Sequence, residues 1–580
     1  MSETKIQWSC LIKGLYIPLG VLSVLDLIML WGWRSSSELS SLQMSATRLL
    51  LYGFIVTELL QWICSGKFWS YIRSNFLELF FAFFALALIV LERFFAAEIE
   101  SVWHPAHMGT VLLVYMSVAM FAGLGVFFLR SVLPHLSLLS RKLSPERLFI
   151  AGFLFLICLG TLLLKLPNAT TVGITWIDAF FTATSAVCVT GLTVVDTATQ
   201  FTPFGHLVLL ILMQVGGLGI MTLTYVIAVV LSREMSMREQ IILSDYLNED
   251  NYSRIRSLLR QIVFTVFLFE LLGAVGLFCS LPATSGSFFE RLFLSIFHSV
   301  SAFCNAGFSV YPNGLSTPDV ATNMPLQGVV MVLIIVGGLG FFVLRELGLH
   351  FRQMFSRNHV RLRWTLHTRL VLWTSLLLTV GGAFLIQMSD FFAGNQLSLL
   401  QALFQSISAR TAGFNTVDIA SLAHGSVIVL IMLMFIGGSP GGTAGGIKTT
   451  VAAVAVLNLG NYLRGREHVQ LFNRRLSSEN SRRAFSVITL SLAAAFSVWF
   501  LLALTHPALN ALDLFFETIS AFSTVGLTRN LTPELNPFGR CLIILTMFVG
   551  RIGILYFATA VFSSSDSREI LCAKEHIQLG

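Results

Sequence analysis

Apolar stretches of about 20 residues, long enough to cross a bilayer as helices, recur along the chain with short charged connections between them. Four come first, near 11–31, 49–64, 77–95 and 107–129. From about Arg147 a second pattern takes over and occurs four times. Each unit reads as an apolar span, a short apolar segment ending in a Ser-Ala loop with a glycine, and a second span carrying a glycine cluster. The loops are TSAVCVTGLT, SVSAFCNAGFS, SISARTAGFNT and TISAFSTVGLT, and their glycines, Gly191, Gly307, Gly413 and Gly526, lie 116, 106 and 113 residues apart by subtraction. The third loop is one residue shorter between its Ser-Ala and its glycine, so alignment there takes a gap.

The second spans carry MQVGGLGIM from Met213, LIIVGGLGFF from Leu333, LMFIGGSPGG from Leu433 and TMFVGRIGIL from Thr546, and Pro-Phe-Gly recurs at 203–205 and 537–539. Close packing through small residues accounts for glycine in membrane helices, but not for a paired loop and helix recurring in order. The pattern predicts an all-α polytopic membrane protein with four helix/pore-loop/helix repeats around a central pore. Their bounds are 141–250, 251–356, 357–470 and 471–580, preceded by four additional transmembrane helices within 1–140.

Composition agrees: 55% of the 580 residues are hydrophobic and 12% charged, against roughly 25% charged in soluble domains. The net charge of +7 sits mostly in the connections, where it reads as an orientation signal and not as a nucleic-acid surface. Taking the basic connections near 67–73, 141–142, 233–260, 352–369 and 464–483 as cytoplasmic gives twelve spans, both termini inside and four re-entrant loops entering from outside. Eight scattered Cys without a CxxC indicate neither a disulfide framework nor a zinc site, although Cys188 and Cys304 share a loop position. The polar start MSETKIQWS followed by an apolar run, with no small-residue cleavage site, reads as a retained first helix.

Segments 178–186, 289–302, 402–409 and 512–521 are too short to span and read as half-helices that stop midway. Irregular backbone at that depth persists only where protein buries it or where it lines a watery cavity. The negative end of each helix dipole favours a cation beyond it, and glycine lets the following carbonyls turn towards an axis. The expected selectivity filter is Val189, Thr190 and Gly191; Asn305, Ala306 and Gly307; Thr411, Ala412 and Gly413; and Thr524, Val525 and Gly526. Potassium channels use four TVGYG loops in this way; the nearest string here, Ser523-Thr524-Val525-Gly526, has one glycine, so a shorter filter with fewer ion sites is expected.

These loops and glycine-bearing spans resemble the Trk/Ktr/HKT superfamily of potassium transporters from about residue 147 onwards, with ARTAGFN at 409–415 and GGSPGGTAGGIKTT at 437–450 as the specific strings. The resemblance implies the ion-translocating subunit of a potassium uptake system, not an enzyme, with potassium passing filter carbonyls. It also implies a homodimer and a cytosolic nucleotide-binding regulatory ring, so that nucleotide acts only through the partner. Some plant relatives with sodium preference have Ser in the first loop, where Gly191 stands here. A sodium-selective or sodium-coupled transporter of the same architecture is the alternative. A polytopic membrane transferase would need convergent acid, base or metal residues, and none has useful spacing. A bacterial cytoplasmic (inner) membrane is the expected location.

Gly437, Gly438, Gly441, Gly442, Gly445 and Gly446, with Lys448 just after them, should break the third repeat's second helix and form a gate below the filter. A phosphate loop would need Gly-Lys adjacent, and Ile447 intervenes; a purely structural kink is the plainer reading. Arg551 takes the second glycine position, matching Gly217, Gly338 and Gly438. A charge at that depth faces an aqueous path or a partner, so it is expected at the gate, with a helix-packing ion pair as the alternative. Asp178, Asp513 and Glu517 lie on the half-helices, and position 517 corresponds to Thr182, His298 and Gln405; bracing the filter is favoured over coordination. His206, His424 and His506 read as interfacial.

Overall fold

The computed structural model describes positions within 18–32, residues 37–65, positions 83 and 86, and residues 145–219, 252–282, 287–354, 363–465, 470–471, 474–475 and 477–562. The expected spans at 77–95 and 107–129 lie outside the described residues but for positions 83 and 86, as do residues 220–251. Helix α1, Ser37–Ser65, contains the 49–64 span and starts earlier, because SELSSLQMSA holds neither Gly nor Pro to stop it. The Gly32 carbonyl accepts the Asn168 N–H at 2.9 Å, which joins the leading segment to the first repeat.

Each repeat follows the same order. Repeat 1 is α2 (Pro145–Leu164), pore helix α3 (Trp176–Val187) and α4 (Pro203–Leu218). Repeat 2 is α5 (Tyr252–Ser280), pore helix α6 (Phe288–Cys304), α7 (Met324–Leu339) and α8 (Phe341–Met354). Repeat 3 is α9 (Leu366–Phe392), pore helix α10 (Leu399–Ser408), α11 (His424–Phe435) and α12 (Thr449–Leu463). Repeat 4 is α13 (Ser478–Thr505), pore helix α14 (Ala511–Phe522), α15 (Pro537–Ile552) and α16 (Ile554–Phe562). A two-residue hairpin, Gln470–Leu471 with Arg474–Arg475, joins repeats 3 and 4. Among the described residues, Arg260–Ser280, Leu366–Phe392 and Glu479–Thr505 are long and apolar enough to cross a membrane, and α7 with α8 meets the same measure only when the bent pair is taken together.

Local chemistry sets where the pore helices begin. Thr175, Ser287, Ser398 and Asn510 cap their first turns, and Ser287 with Glu290 and Ser398 with Gln401 make reciprocal capping boxes. The Pro-Phe-Gly motif proves to be a helix start. Thr202 and Asn536 accept the N–H of Gly205 and Gly539, and proline occupies the first turn, where its missing donor costs nothing.

The second helices end at equivalent positions in repeats 1, 2 and 4, at Gly219, Gly340 and Gly553, whose φ values of 77°, 88° and 93° suit glycine. In repeat 2 the chain turns there by 107° before α8 begins. Repeat 3 places Pro440 at that position, and its helix stops at Phe435 and resumes only at Thr449.

Packing closes the four units into a ring. The second helix of each repeat lies on the next repeat's pore helix: α4 on α6, α7 on α10, α11 on α14, and α15 back on α3. Phe181, Phe297, Phe404 and Phe516, one per pore helix, are each fully buried in this layer. Burying one such ring removes roughly 150–250 Å² from lipid or water, so the four together anchor the half-helices.

Candidate functional site

At the centre the four loop glycines meet. A Cβ built on Gly191 would lie 3.1 Å from the Cα of Gly307, one on Gly307 3.1 Å from Gly413, one on Gly413 3.1 Å from Gly526, and one on Gly526 3.0 Å from Gly191. Each would also collide with the carbonyl oxygen preceding the neighbouring glycine: Ala306, Ala412, Val525 and Thr190 in turn. The glycines thus form a closed ring in chain order. All four have positive φ, 70° to 95°.

Two residues before each glycine the backbone is left-handed again, at Val189, Asn305, Thr411 and Thr524, with φ of 55°, 58°, 76° and 50°. Left-handed non-glycine backbone costs about 1–3 kcal/mol per residue, and for the β-branched Val and Thr it is a true outlier. Its fourfold recurrence marks a conformation that the surroundings impose. The loop serines impose part of it. Ser185, Ser301 and Ser520 accept, through their carbonyls, the N–H of Thr190, Ala306 and Val525 at 2.8 Å, and Ser408 accepts that of Ala412 at 2.9 Å. The hydroxyls of Ser185 and Ser520 accept the N–H of Gly191 and Gly526, whereas those of Ser301 and Ser408 donate to the carbonyls of Phe308 and Phe414. The missing residue of the third loop is absorbed in the turn before Thr411, leaving its glycine in register.

Six polar atoms in this layer are buried and have no hydrogen-bond partner among the described residues: the hydroxyls of Thr190, Thr411, Ser523 and Thr524, and both amide atoms of Asn305. An unsatisfied buried polar group costs about 1–3 kcal/mol, and such groups in folded proteins find water or an ion. The unpartnered set is therefore oxygen-rich and uncharged, the ligand chemistry of hard cations and not of soft ones.

Behind the loops, the polar column at Thr182, His298, Gln405 and Glu517 is buried throughout. His298 Nε2 meets Ser309 Oγ at 3.0 Å, and Gln405 Nε2 reaches Thr416 Oγ1 at 3.5 Å. Glu517 accepts hydrogen bonds from Thr528 and, at 3.1 Å, from Thr532. Asp178 pairs with Arg540 at 2.5 Å and Asp513 with Arg529, so these acids brace helix starts. His206 and His506, expected at the membrane interface, are buried tethers instead: His206 Nε2 bonds the Thr197 carbonyl at 2.8 Å and His506 Nε2 accepts the Asn536 N–H at 3.0 Å. Loops returning from the glycine ring need their backbone groups satisfied, and the two imidazoles supply partners. His424 alone of the three is exposed.

Below the ring, Gly216, Gly337 and Gly550 abut the carbonyls of Val187, Phe303 and Phe522, with no room for a side chain. In repeat 3 the equivalent Gly437 abuts Gly445 instead, and Gly445 in turn faces Thr524. The glycine-rich segment 436–448 thus lies between its own helix and the loop of repeat 4. It is pinned: Ser439 N–H donates to Gly338 O at 3.0 Å, Phe341 N–H to Gly441 O at 2.9 Å, and Thr443 Oγ1 to Phe303 O at 3.1 Å. Lys448 Nζ donates to Ala444 O at 2.7 Å. The structure brings Arg551 to this segment, where its guanidinium donates to Thr443 O and, at 2.5 Å, to Gly216 O. Placing an Arg at mid-membrane costs about 2.5–3.5 kcal/mol on insertion scales; two charge-assisted bonds at about 1.5–3 kcal/mol each offset that. A cavity of about 320 Å³ lies beside it, lined by Gly441, Lys448, Arg483 and Arg551 among others.

Sequence reasoning missed two features: the helix breaks of the second spans, and the left-handed backbone at four of the residues it assigns to the filter. The helix breaks at Gly219, Gly340 and Gly553 were present as the last glycine of each GGLG or GRIG string. The left-handed positions at 189, 305, 411 and 524 carried no common residue type, and so no signal.

Comparison with known proteins places this architecture. Residues 150–569 match a family described as TrkH, cation transport protein. The chain is 37% identical to the Ktr system potassium uptake protein B of Bacillus subtilis over 74% of its own length and 94% of the relative's. It is 35% identical to the potassium/sodium uptake protein NtpJ of Enterococcus hirae over 73% and 93%. The crystal structure of the potassium transporter TrkH from Vibrio parahaemolyticus superposes with a TM-score of 0.58 at 19% identity, covering 84% of this chain and 97% of that one, and so shares the fold.

Proposed function

This chain belongs to the TrkH/Ktr family of membrane cation transport proteins, and we propose that it is the ion-translocating subunit of a potassium uptake system. The observation that carries the reading is the closed ring of four glycines with its orphaned, buried oxygen groups. Carbonyls of the residues at and before each glycine, from Val189–Gly191 to Thr524–Gly526, would replace the water shell of potassium, and the four pore helices would aim their negative ends at it. The repeats fill 141–250, 251–356, 357–470 and 471–580, with the leading helices of 1–140 outside this unit.

The segment from Gly437 to Gly446, with Lys448 and Arg551, is the gate of this proposal. It lies directly beneath the ring, and Arg551 ties it to repeat 1. Similarity to a Ktr system protein supports a multi-component assembly, which we read as a homodimer on a cytosolic nucleotide-binding ring in a bacterial inner membrane, both termini inside. Similarity to a potassium/sodium uptake protein favours, as second reading, sodium as passenger or driver.

Expression in a strain lacking potassium uptake tests this directly. Growth at low external potassium, with rubidium influx that sodium does not suppress, is the expected result. Sodium influx without rubidium influx would overturn it in favour of the second reading.

A further inference from the structure

We propose that discrimination between cations is set by a graded series of hydrogen-bond staples behind the filter, with the unstapled loop of repeat 1 as its yielding side; this rests on the filter reading above. The staple joins a pore-helix side chain to a residue eleven positions on, past the filter glycine, in three repeats: His298 to Ser309, Gln405 to Thr416 and Glu517 to Thr528. The eleven-residue spacing is kept in the shorter loop 3, where the partner lies three residues past the glycine instead of two. Each staple closes pore helix, filter residues and exit segment into a loop held at both ends.

The chemistry grades the three. Glu517 accepts from two hydroxyls, Thr528 and Thr532, one on each carboxylate oxygen. His298 holds Ser309 at 3.0 Å, is itself fixed by Leu294 O at 2.8 Å, and stacks on Tyr311 at 4.8 Å. Gln405 reaches its partner only at 3.5 Å, the long limit of a hydrogen bond. Repeat 1 has Thr182, whose hydroxyl turns back to Asp178 O on its own helix at 2.8 Å. Eleven residues on stands Thr193, and the Thr182 hydroxyl donates its one proton within its own helix instead.

A ring of carbonyls selects by how firmly it keeps the spacing of its oxygens. Sub-ångström looseness in a supporting residue is enough to degrade a site. Stiffness here therefore falls in the order repeat 4, repeat 2, repeat 3, repeat 1. These are positioning residues: none needs to touch the ion.

The test uses the full-length chain in liposomes, with rubidium and sodium influx measured on the same preparation. Loss of one hydrogen bond of about 1 kcal/mol corresponds to about fivefold in an equilibrium ratio. Glu517→Leu is expected to lower the rubidium-to-sodium ratio by about that factor, and Glu517→Gln, which keeps an acceptor, to restore most of it. Thr528→Val should reproduce the loss from the other end of the staple, and decides alone if Glu517→Leu does not fold. Thr182→Val should leave the ratio where it was. A parental ratio in Thr528→Val, together with a collapsed ratio in Gly526→Ser, would discard the staples and keep the filter. No change in Gly526→Ser either would remove the filter reading itself, and a loss in Thr182→Val equal to that in Thr528→Val would overturn the grading.

Discussion

The ring of loops and the layer beneath it are built from the same four repeats and end up unlike each other. In the ring every repeat contributes a glycine of positive φ and a left-handed residue two before it. One layer down, Gly217, Gly338, Gly438 and Arg551 occupy one repeat position, and repeat 3 inserts a loop where the others break at a single glycine. A site that surrounds a spherical ion needs equal contributions from all sides. A device that moves needs one side to differ from the rest. Symmetry was kept where coordination is proposed and lost where gating is.

The strongest way to break this contrast is in the ring. Gly413→Ser puts a side chain against the Val525 carbonyl and should lower the rubidium-to-sodium uptake ratio about tenfold or more, a shift of at least 1.4 kcal/mol; an unaltered ratio in well-inserted protein would mean that the ring is not the selective element. Next comes the layer below. Arg551→Gln gives up the charge and weakens the links to Thr443 and Gly216, and basal rubidium influx without the regulatory partner should rise about fivefold, as for a lost bond of about 1 kcal/mol. Removing Gly441 and Gly442 shortens the pinned segment, and should raise basal influx in the same direction by a smaller factor, about two- to threefold, because Arg551 keeps its Gly216 contact. If both variants respond fully to the partner, the segment is a fixed kink. The smallest effect belongs outside both layers: Asp178→Asn breaks the pair with Arg540 and should lower thermal stability by about 1 kcal/mol, a few degrees at most, with selectivity unchanged.

What the sequence made readable follows from what it had to repeat. The pore helices were visible as short apolar segments, and α3, α6, α10 and α14 begin and end within a few residues of the expected bounds. The loop glycines stood out because they recur once per repeat, and in the structure each has positive φ and meets a neighbouring carbonyl that a side chain would strike. The left-handed positions did not, since Val189, Asn305, Thr411 and Thr524 lie in turns closed by the loop serines and not in conformations of their own propensity. The polar column on the pore helices was legible as a column; its partners were not, because Ser309 and Thr528 lie two residues past their glycines and Thr416 three, and nothing in the strings ties them to the column. His206 and His506 misled for a related reason: proximity to a span end suggests lipid headgroups, while the returning loops bring backbone donors and acceptors to them.

The closure of the ring between repeats 4 and 1 has a consequence for how the protein is made. Gly526 meets Gly191, Arg551 meets Gly216 and Arg540 meets Asp178, all across more than three hundred residues. A ribosome delivering the chain from its N-terminus releases these partners last. Three inserted repeats leave the first and third without their common neighbour, and no set of oxygens encircles an axis until the final hairpin arrives. On the proposed function the ring is therefore completed in a single late step of biogenesis, and a chain cut short before repeat 4 inserts lacks one quarter of it.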